Sequence, residues 1–265
     1  MEQDADRDIP ILTALVREIA ALCDRVQGAS IPPNDRFAEM CLLFMSTQAE
    51  HAEALLTLVK IRSRDAKLIA RAMAEGMAML RWACASPTER GPLWSAYSLV
   101  QGWKAAKASG DSTQVAEIEA RAELQWFLTR DAKERIAAGD PPKVNPFVHV
   151  WYKGSLRDLF DGIDPRFYEP VYSDFAEYHH WSPRGLAPAV KREGASLGHY
   201  PAQPNELAQS LAVGFHSLYD LLTDANRYLK LGLEEDLARL LERHPAYSEI
   251  VAAANADKTA SNGEI

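Results

Sequence analysis

The sequence predicts an all-α fold, an antiparallel helical bundle. Apolar residues recur three and four positions apart along most of the 265-residue chain, and the alternating pattern of a half-buried β-strand is scarce. Prolines and glycines interrupt this pattern in short stretches, such as residues 139–146. The chain has 265 residues, of which 47% are apolar, and this is enough to bury a substantial core.

Helices are expected between these interruptions. Capping residues, prolines and glycines set their approximate limits. The predicted helices cover residues 8–27, 36–61, 63–83, 93–107, 112–138, 156–160, 165–181, 205–231 and 233–243. Residues 182–204 contain four prolines and three glycines and are predicted to form a long surface loop. Residues 147–152 have strand-like composition but no partner run, so we predict an extended connector there.

The helical pattern predicts one domain over residues 1–252. Residues 253–265 are expected to form a disordered tail, because no large apolar side chain anchors them before Ile265. Helical domains of this kind pack their helices around one core.

Composition and charge limit the compartments and the binding partners that are expected for this chain. The net charge of -8 gives no general attraction to phosphate backbones, so nucleic-acid binding is not expected. The acidic N-terminus lacks the features of a secretory signal, and no apolar run approaches the roughly 18 residues of a membrane span. The cysteines show no disulfide or zinc spacing and are expected to be reduced; they are Cys23, Cys41 and Cys84. We therefore predict a cytoplasmic protein without membrane contact.

A carboxylate falls on the apolar side of the third predicted helix. In helical projection, Glu75 lies within a stripe formed by Leu68, Ala72, Met79 and Trp82. The outer face is assigned to Lys67, Ala70, Ala74 and Arg81. A charge among apolar side chains needs a partner, and Arg71, one turn earlier, is placed to pair with Glu75. The pair predicts either a structural salt bridge or an acid held ready in a polar pocket.

The segment "FYEPVYSDFAEYHHWSPRG", residues 167–185, is predicted to supply another wall of this pocket. His179 and His180 point about 100° apart on a helix, so they cannot both occupy one small site in the same way. We expect His180 to face Glu75 and Tyr172 to supply a hydroxyl donor. His179 and His216 are further candidates for ligand binding, and His216 lies one turn before Asp220.

The chemistry of this pocket stays open at the level of sequence. His180 and Glu75 could carry out acid-base catalysis, with Arg71 orienting the carboxylate. Binding of a small molecule without turnover fits the same residues. As a further alternative, these groups form a buried packing network in a structural or interaction protein. The sequence indicates no particular cofactor.

A metal site is not predicted. Glu177 and His180 have the spacing of one helical Glu-x-x-His motif, but carboxylate-bridged dinuclear bundles need two such motifs. The second motif is missing from the chain.

Two Arg-His spacings resemble the motif of HEPN-type ribonucleases. They are Arg239 with His244 and Arg192 with His199. The second contains Gly194 and Gly198, which oppose a helix. The resemblance implies an alternative function as an RNA-cutting or phage-defence effector, acting as a homodimer.

Two blocks resemble a bacterial family catalogued as domain of unknown function 5677. The first is "RSRDAKLIARAMAEGMAMLRW"; the second is "WYKGSLRDLF" followed by "FYEPVYSDFAEYHHWSP". Arg71 and Glu75 match the Arg and Glu of the first block, and His180 matches the histidine of the second. Ala176 stands where the family usually has a serine. The resemblance covers about residues 60–230 and implies an intracellular helical protein of unestablished activity.

Overall fold

The predicted all-α class is confirmed by the computed structural model, which describes residues 2–26, 29–140, 145–152, 154–162, 174–180, 182–193 and 196–245. The α-helices are α1 (Glu2–Val26), α2 (Arg36–Lys60), α3 (Ala66–Cys84), α4 (Pro87–Ser109), α5 (Ser112–Glu119), α6 (Arg130–Ala138), α7 (Leu156–Asp161), α8 (Asp174–His179), α9 (Pro183–Leu186), α10 (Pro204–Leu229) and α11 (Glu234–Glu242). Short 3-10 helices occur at Ala122–Phe127 and Ala187–Ala189. None of the described helices is both long and apolar enough to cross a bilayer.

The main core lies where α10 packs against α1, α2 and α3. An apolar stripe of α10 faces this core, and its fully buried members include Leu211, Phe215, Leu218 and Leu222. Burying one such side chain contributes about 1.5–3 kcal/mol. The cysteines are free thiols, and Cys23 and Cys41 are buried in the same core. Burial raises the pKa of Cys23 to about 12, so this thiol stays protonated.

The face of α3 that meets the core is not the predicted one. Ala70, Ala74 and Lys67 were assigned to the outer face, but all three are buried. Small alanines allow close helix packing, and helical projection gives them less weight than Leu, Met or Trp. The predicted stripe around Glu75 is instead only half-buried.

A second layer of packing joins α4 to the segments that follow it. The predicted helix over residues 112–138 is divided into α5, a 3-10 helix and α6, because Leu128 forms a β-bridge with Phe147. The Phe147 ring also packs edge-on against Trp103, with ring centroids 4.9 Å apart. Phe147 and Val148 are therefore held against the end of the 3-10 helix, whereas residues 149–152 form bends, so only the start of the predicted extended connector is extended.

Residues 182–204 form regular elements in the part that the structure describes, where a long loop was predicted. Ser182 caps α9 by accepting a hydrogen bond from the Gly185 N–H at 3.0 Å. After the second 3-10 helix come the antiparallel strands β1 (Val190–Glu193) and β2 (Ser196–His199). Pro183 and Pro188 lie in the first turns of α9 and of the second 3-10 helix, and a count of prolines and glycines does not distinguish such short elements from a loop.

Helix α4 begins at Pro87, six residues earlier than predicted. Pro87 occupies the first helical turn, where its fixed φ suits the helix and its missing N–H costs nothing. The first turns of α4 approach the start of α2 closely. A methyl group added at Gly91 would lie 2.8 Å from the backbone nitrogen of Phe37 and 2.9 Å from its Cα.

Gly91→Ala should destabilise the protein by about 1–2 kcal/mol, because backbone atoms would have to move to admit the methyl group. Gly102→Ala is the matched control on the same helix, where the new methyl group meets only the Ile118 side chain at 3.4 Å. That change should stabilise by up to about 1 kcal/mol through helix propensity. Urea unfolding of both variants measures the difference, and equal effects would contradict the close approach.

Candidate functional site

A cavity of about 300 Å³ lies on the outer side of α3. Its walls come from two turns of α3 and from the end of α8, and they are Leu68, Arg71, Ala72, Glu75 and His179. Helix α3 packs against α8. The cavity thus brings together groups more than 100 positions apart in sequence.

The predicted ion pair is present in this cavity. Arg71 Nε donates to Glu75 Oε1 at 2.9 Å, and the side chains are 16% and 27% exposed. The expectation of a buried carboxylate was therefore wrong, because the face of α3 that carries Glu75 is turned away from the main core. The ion pair holds both side chains in place, and because both are partly exposed to solvent, a small molecule can reach them.

The histidine in the cavity wall is His179, whereas His180 was expected there. Both are exposed, and their rings lie 5.0 Å apart between centroids. His180 follows the last residue of α8 and does not line the cavity. His216 does not line it either, and Tyr172 lies outside the described residues.

Comparison with known proteins agrees with the resemblance. A family of unknown function (DUF5677) matches residues 38–196, more than half of the chain. The chain belongs to DUF5677. No curated protein and no solved structure matches it. The DUF5677 match includes every residue that lines the cavity, while α10 and α11 lie beyond it.

Helix α8 is fixed to α3 by packing and by one hydrogen bond. The Phe175 ring is fully buried in a cluster that includes Ala70 and Ala74 of α3. The Tyr178 hydroxyl donates to Asp65 Oδ1 at 3.0 Å, just before α3 begins. Burial, together with this carboxylate, raises the pKa of Tyr178. These contacts set the position of His179 at the next residue.

A buried ion cluster supports the same region of this DUF5677 member. Glu206, at the start of α10, lies 3.2 Å from Lys67 Nζ and 3.3 Å from Arg64 Nε, and all three residues are less than 9% exposed. Arg64 also donates to the carbonyl oxygens of Pro188 and Pro201, at 2.6 and 3.1 Å. The cluster therefore joins the start of α3, the start of α10 and the segment after α9.

Sequence reasoning missed this cluster. Burial alone would raise the pKa of Glu206, but the Gln203 N–H and the charges of Lys67 and Arg64 outweigh it and lower the pKa. One signal was available, since Gln203 and Glu206 form a capping box that marks the start of α10. The burial of Lys67 and Arg64 depends on the tertiary packing of α3, which was assigned to the wrong face.

Another charged network joins α3 to α10. Arg81 Nε donates to Asp224 Oδ2 at 2.9 Å, and Arg81 Nη1 donates to Asp220 Oδ2 at 3.1 Å. His216 lies one turn before Asp220; burial lowers the pKa of His216, and Asp220 partly opposes this. Asp220 therefore lies close enough to His216 to interact with it electrostatically, in agreement with their spacing of one helical turn. Arg81, assigned to the outer face, is half-buried and pairs with both carboxylates.

The residues of the HEPN-like spacing lie in different environments. Arg239 is exposed and pairs with Asp236, whereas His244 is 4% exposed and stacks on Phe215 with ring centroids 5.1 Å apart. Burial, followed by the charge of His216, lowers the pKa of His244 to about 4. For the second spacing, Arg192 lies on β1 and His199 on β2, so it is not helical.

Metal ligands do not cluster in the part of the chain that the structure describes. No group of three His, Cys, Asp or Glu side chains there could hold an ion. Glu177 of the Glu-x-x-His spacing accepts a hydrogen bond from the Ser182 hydroxyl.

Glu206→Gln should destabilise the protein by about 3 kcal/mol, because it leaves two buried cations without their carboxylate. Glu134→Gln is the control, since Glu134 pairs with Arg130 on the surface, with side chains 64% and 92% exposed. That change should stay within about 0.5 kcal/mol. Urea unfolding at neutral pH compares them, and a Glu206→Gln effect as small as the control would refute the role of the cluster.

His244 should make stability depend on pH below 6.5. Between about pH 6.5 and 4, the unfolded chain binds a proton at this residue that the folded protein does not bind. Stability should therefore fall by about 1.4 kcal/mol for each pH unit from this group as pH decreases. His244→Phe, which keeps a ring against Phe215, should remove that slope.

The exposed His149 provides the control for this measurement. His149→Gln should leave the slope of unfolding free energy against pH unchanged. Identical slopes for wild type and His244→Phe would show that His244 is not kept neutral by the fold.

Proposed function

We propose that this DUF5677 member binds a small polar molecule in the cavity between α3 and α8. The observation that carries the proposal is the convergence of His179 on the Arg71–Glu75 pair within one cavity of about 300 Å³. This volume is at the lower end of the range for small-molecule sites. Leu68 and Ala72 add an apolar surface to a set of three polar groups.

The lining groups favour a ligand with groups of both charges. A guanidinium binds carboxylate or phosphate oxygens through paired hydrogen bonds, and a carboxylate accepts from ammonium or hydroxyl donors. A zwitterion such as an α-amino acid can engage Arg71 and Glu75 together. His179 can donate or accept beside them, since imidazole does both near neutral pH.

A more specific form of this proposal is acid-base catalysis by a histidine together with Glu75. His179 takes the place predicted for His180, because it is the imidazole in the cavity wall. The exposed side chains leave a path for a substrate. Turnover, however, requires a ligand to bind first, so binding is the step to test.

The alternatives have less support from the geometry. An RNA-cutting site needs Arg239 and His244 on one accessible surface, but His244 is buried and kept neutral. A purely structural role suits the buried Arg64–Lys67–Glu206 cluster better than the accessible Arg71–Glu75 pair. Cytoplasmic location and homodimer formation stay predictions.

The test is thermal unfolding of the protein with each free L-α-amino acid, with acetate and ethylamine as single-charge probes. At least one amino acid should raise the Tm more than either single-charge probe, because ligand binding to the folded state stabilises it. In Glu75→Gln and His179→Ala, affinity for that amino acid should fall about tenfold or more, the loss expected from one charge-assisted hydrogen bond.

His180→Ala is the matched control, because His180 is adjacent, exposed and outside the cavity wall. It should bind the same amino acid with the affinity of the wild type. If no amino acid raises the Tm, or if His180→Ala and His179→Ala lose affinity equally, the proposed site is wrong.

A further inference from the structure

A second cavity, of about 510 Å³, lies between α2 and α4 on a different part of the molecule. Three of its lining residues are aromatic: Trp94 and Tyr97 from α4, and Trp151 from the connector before α7. The others are Glu39, Leu43, Ser95, Ser98 and Gln101. This aromatic cavity shares no residue with the cavity at Arg71.

The rings of the aromatic cavity are held in place by their neighbours. Trp94 packs edge-on against Phe44 with ring centroids 5.9 Å apart, and Trp151 packs edge-on against Trp82 at 5.4 Å. The Tyr97 hydroxyl donates to the Val148 carbonyl oxygen at 3.3 Å, which joins α4 to the connector. Because the three rings are half-buried, part of each surface remains open to the cavity.

The electrostatics of the aromatic cavity favour a positive ligand. The face of an aromatic ring carries negative quadrupole density and attracts cations, most strongly for Trp. Glu39 adds a carboxylate, and among the described residues no Lys, Arg or His lines the cavity. The net charge of -8 acts in the same direction at longer range.

A cation already lies on a neighbouring ring of the same aromatic group. The Arg90 guanidinium carbon lies 4.1 Å from the centroid of the Trp82 ring, and Trp82 packs against Trp151. The Arg90 side chain also donates a hydrogen bond to the Trp82 carbonyl oxygen. The cavity that Trp151 lines has aromatic walls and a carboxylate, but among the described residues no cationic side chain lines it.

We propose that the aromatic cavity binds a small organic cation with an alkylated ammonium group. Such a cation is weakly hydrated, so its transfer onto aromatic surfaces costs less than that of a primary ammonium. Ser95, Ser98 and Gln101 offer hydrogen-bonding groups for a polar substituent on the same molecule. The proposal does not depend on the proposed function of the cavity at Arg71.

Glu39 also pairs with Arg36, so removal of Arg36 should change the affinity of the cavity for a cation in a known direction. Arg36 Nη1 donates to both carboxylate oxygens of Glu39, at 3.0 and 2.8 Å, and the two side chains are 47% and 33% exposed. An exposed pair of this kind contributes little to stability. Removing Arg36 should therefore leave the fold intact and strengthen the negative potential at the cavity.

The test is isothermal titration calorimetry with choline and with its neutral isostere 3,3-dimethyl-1-butanol, in which a carbon atom replaces the charged nitrogen. Choline should bind with a dissociation constant on the order of millimolar, and the alcohol at least about tenfold more weakly. Glu39→Gln and Trp94→Leu should each weaken choline binding about two- to fivefold, and Arg36→Gln should strengthen it.

Trp126→Leu is the control, because Trp126 is 50% exposed and lies outside the aromatic cavity. It should bind choline as the wild type does, and circular dichroism should show equal helicity in all variants. If Trp94→Leu does not fold, the choline affinities of Glu39→Gln and Arg36→Gln test the proposal, since both residues are on the surface. Equal binding of choline and the alcohol, no heat with choline at tens of millimolar, or an unchanged affinity in both charge variants would overturn the proposal.

Discussion

The buried contact between Glu206 and its two cations is the interaction on which the arrangement of the first cavity depends. Removing charges from water is costly, and the cost is recovered here because the carboxylate meets Lys67 and Arg64 while Arg64 also satisfies backbone carbonyl oxygens. Those carbonyl oxygens belong to the segment that follows α8 and α9. The position of His179 relative to α3 is therefore set partly by charges that do not line the cavity.

Much of the fold followed from helical periodicity, and the exceptions have specific physical causes. The stripe of α10 was predictable because large apolar residues mark it. The core face of α3 was not, because alanines bury little area each but allow close packing. The division of the predicted helix over residues 112–138 depends on the long-range bridge between Leu128 and Phe147, for which local propensity gives no signal.

The candidate site was predictable in its local part. Arg71 and Glu75 are one turn apart, and spacing alone places them in reach. Which of two adjacent histidines joins them depends on how α8 is rotated, and this rotation is set by Phe175 and Tyr178 against α3. The buried charges and the aromatic cavity were missed because each combines side chains from distant segments. Sequence spacing indicates proximity only within one element.

The extent of the DUF5677 match has a consequence for how the chain can be divided. The match ends at residue 196, whereas the carboxylate that neutralises Lys67 and Arg64 is at position 206. A fragment limited to the matched residues would expose the inner face of α3 and leave both cations uncompensated. The matched region is thus smaller than the packed helical core, and a recombinant fragment has to extend through α10 to keep the carboxylate that neutralises Lys67 and Arg64.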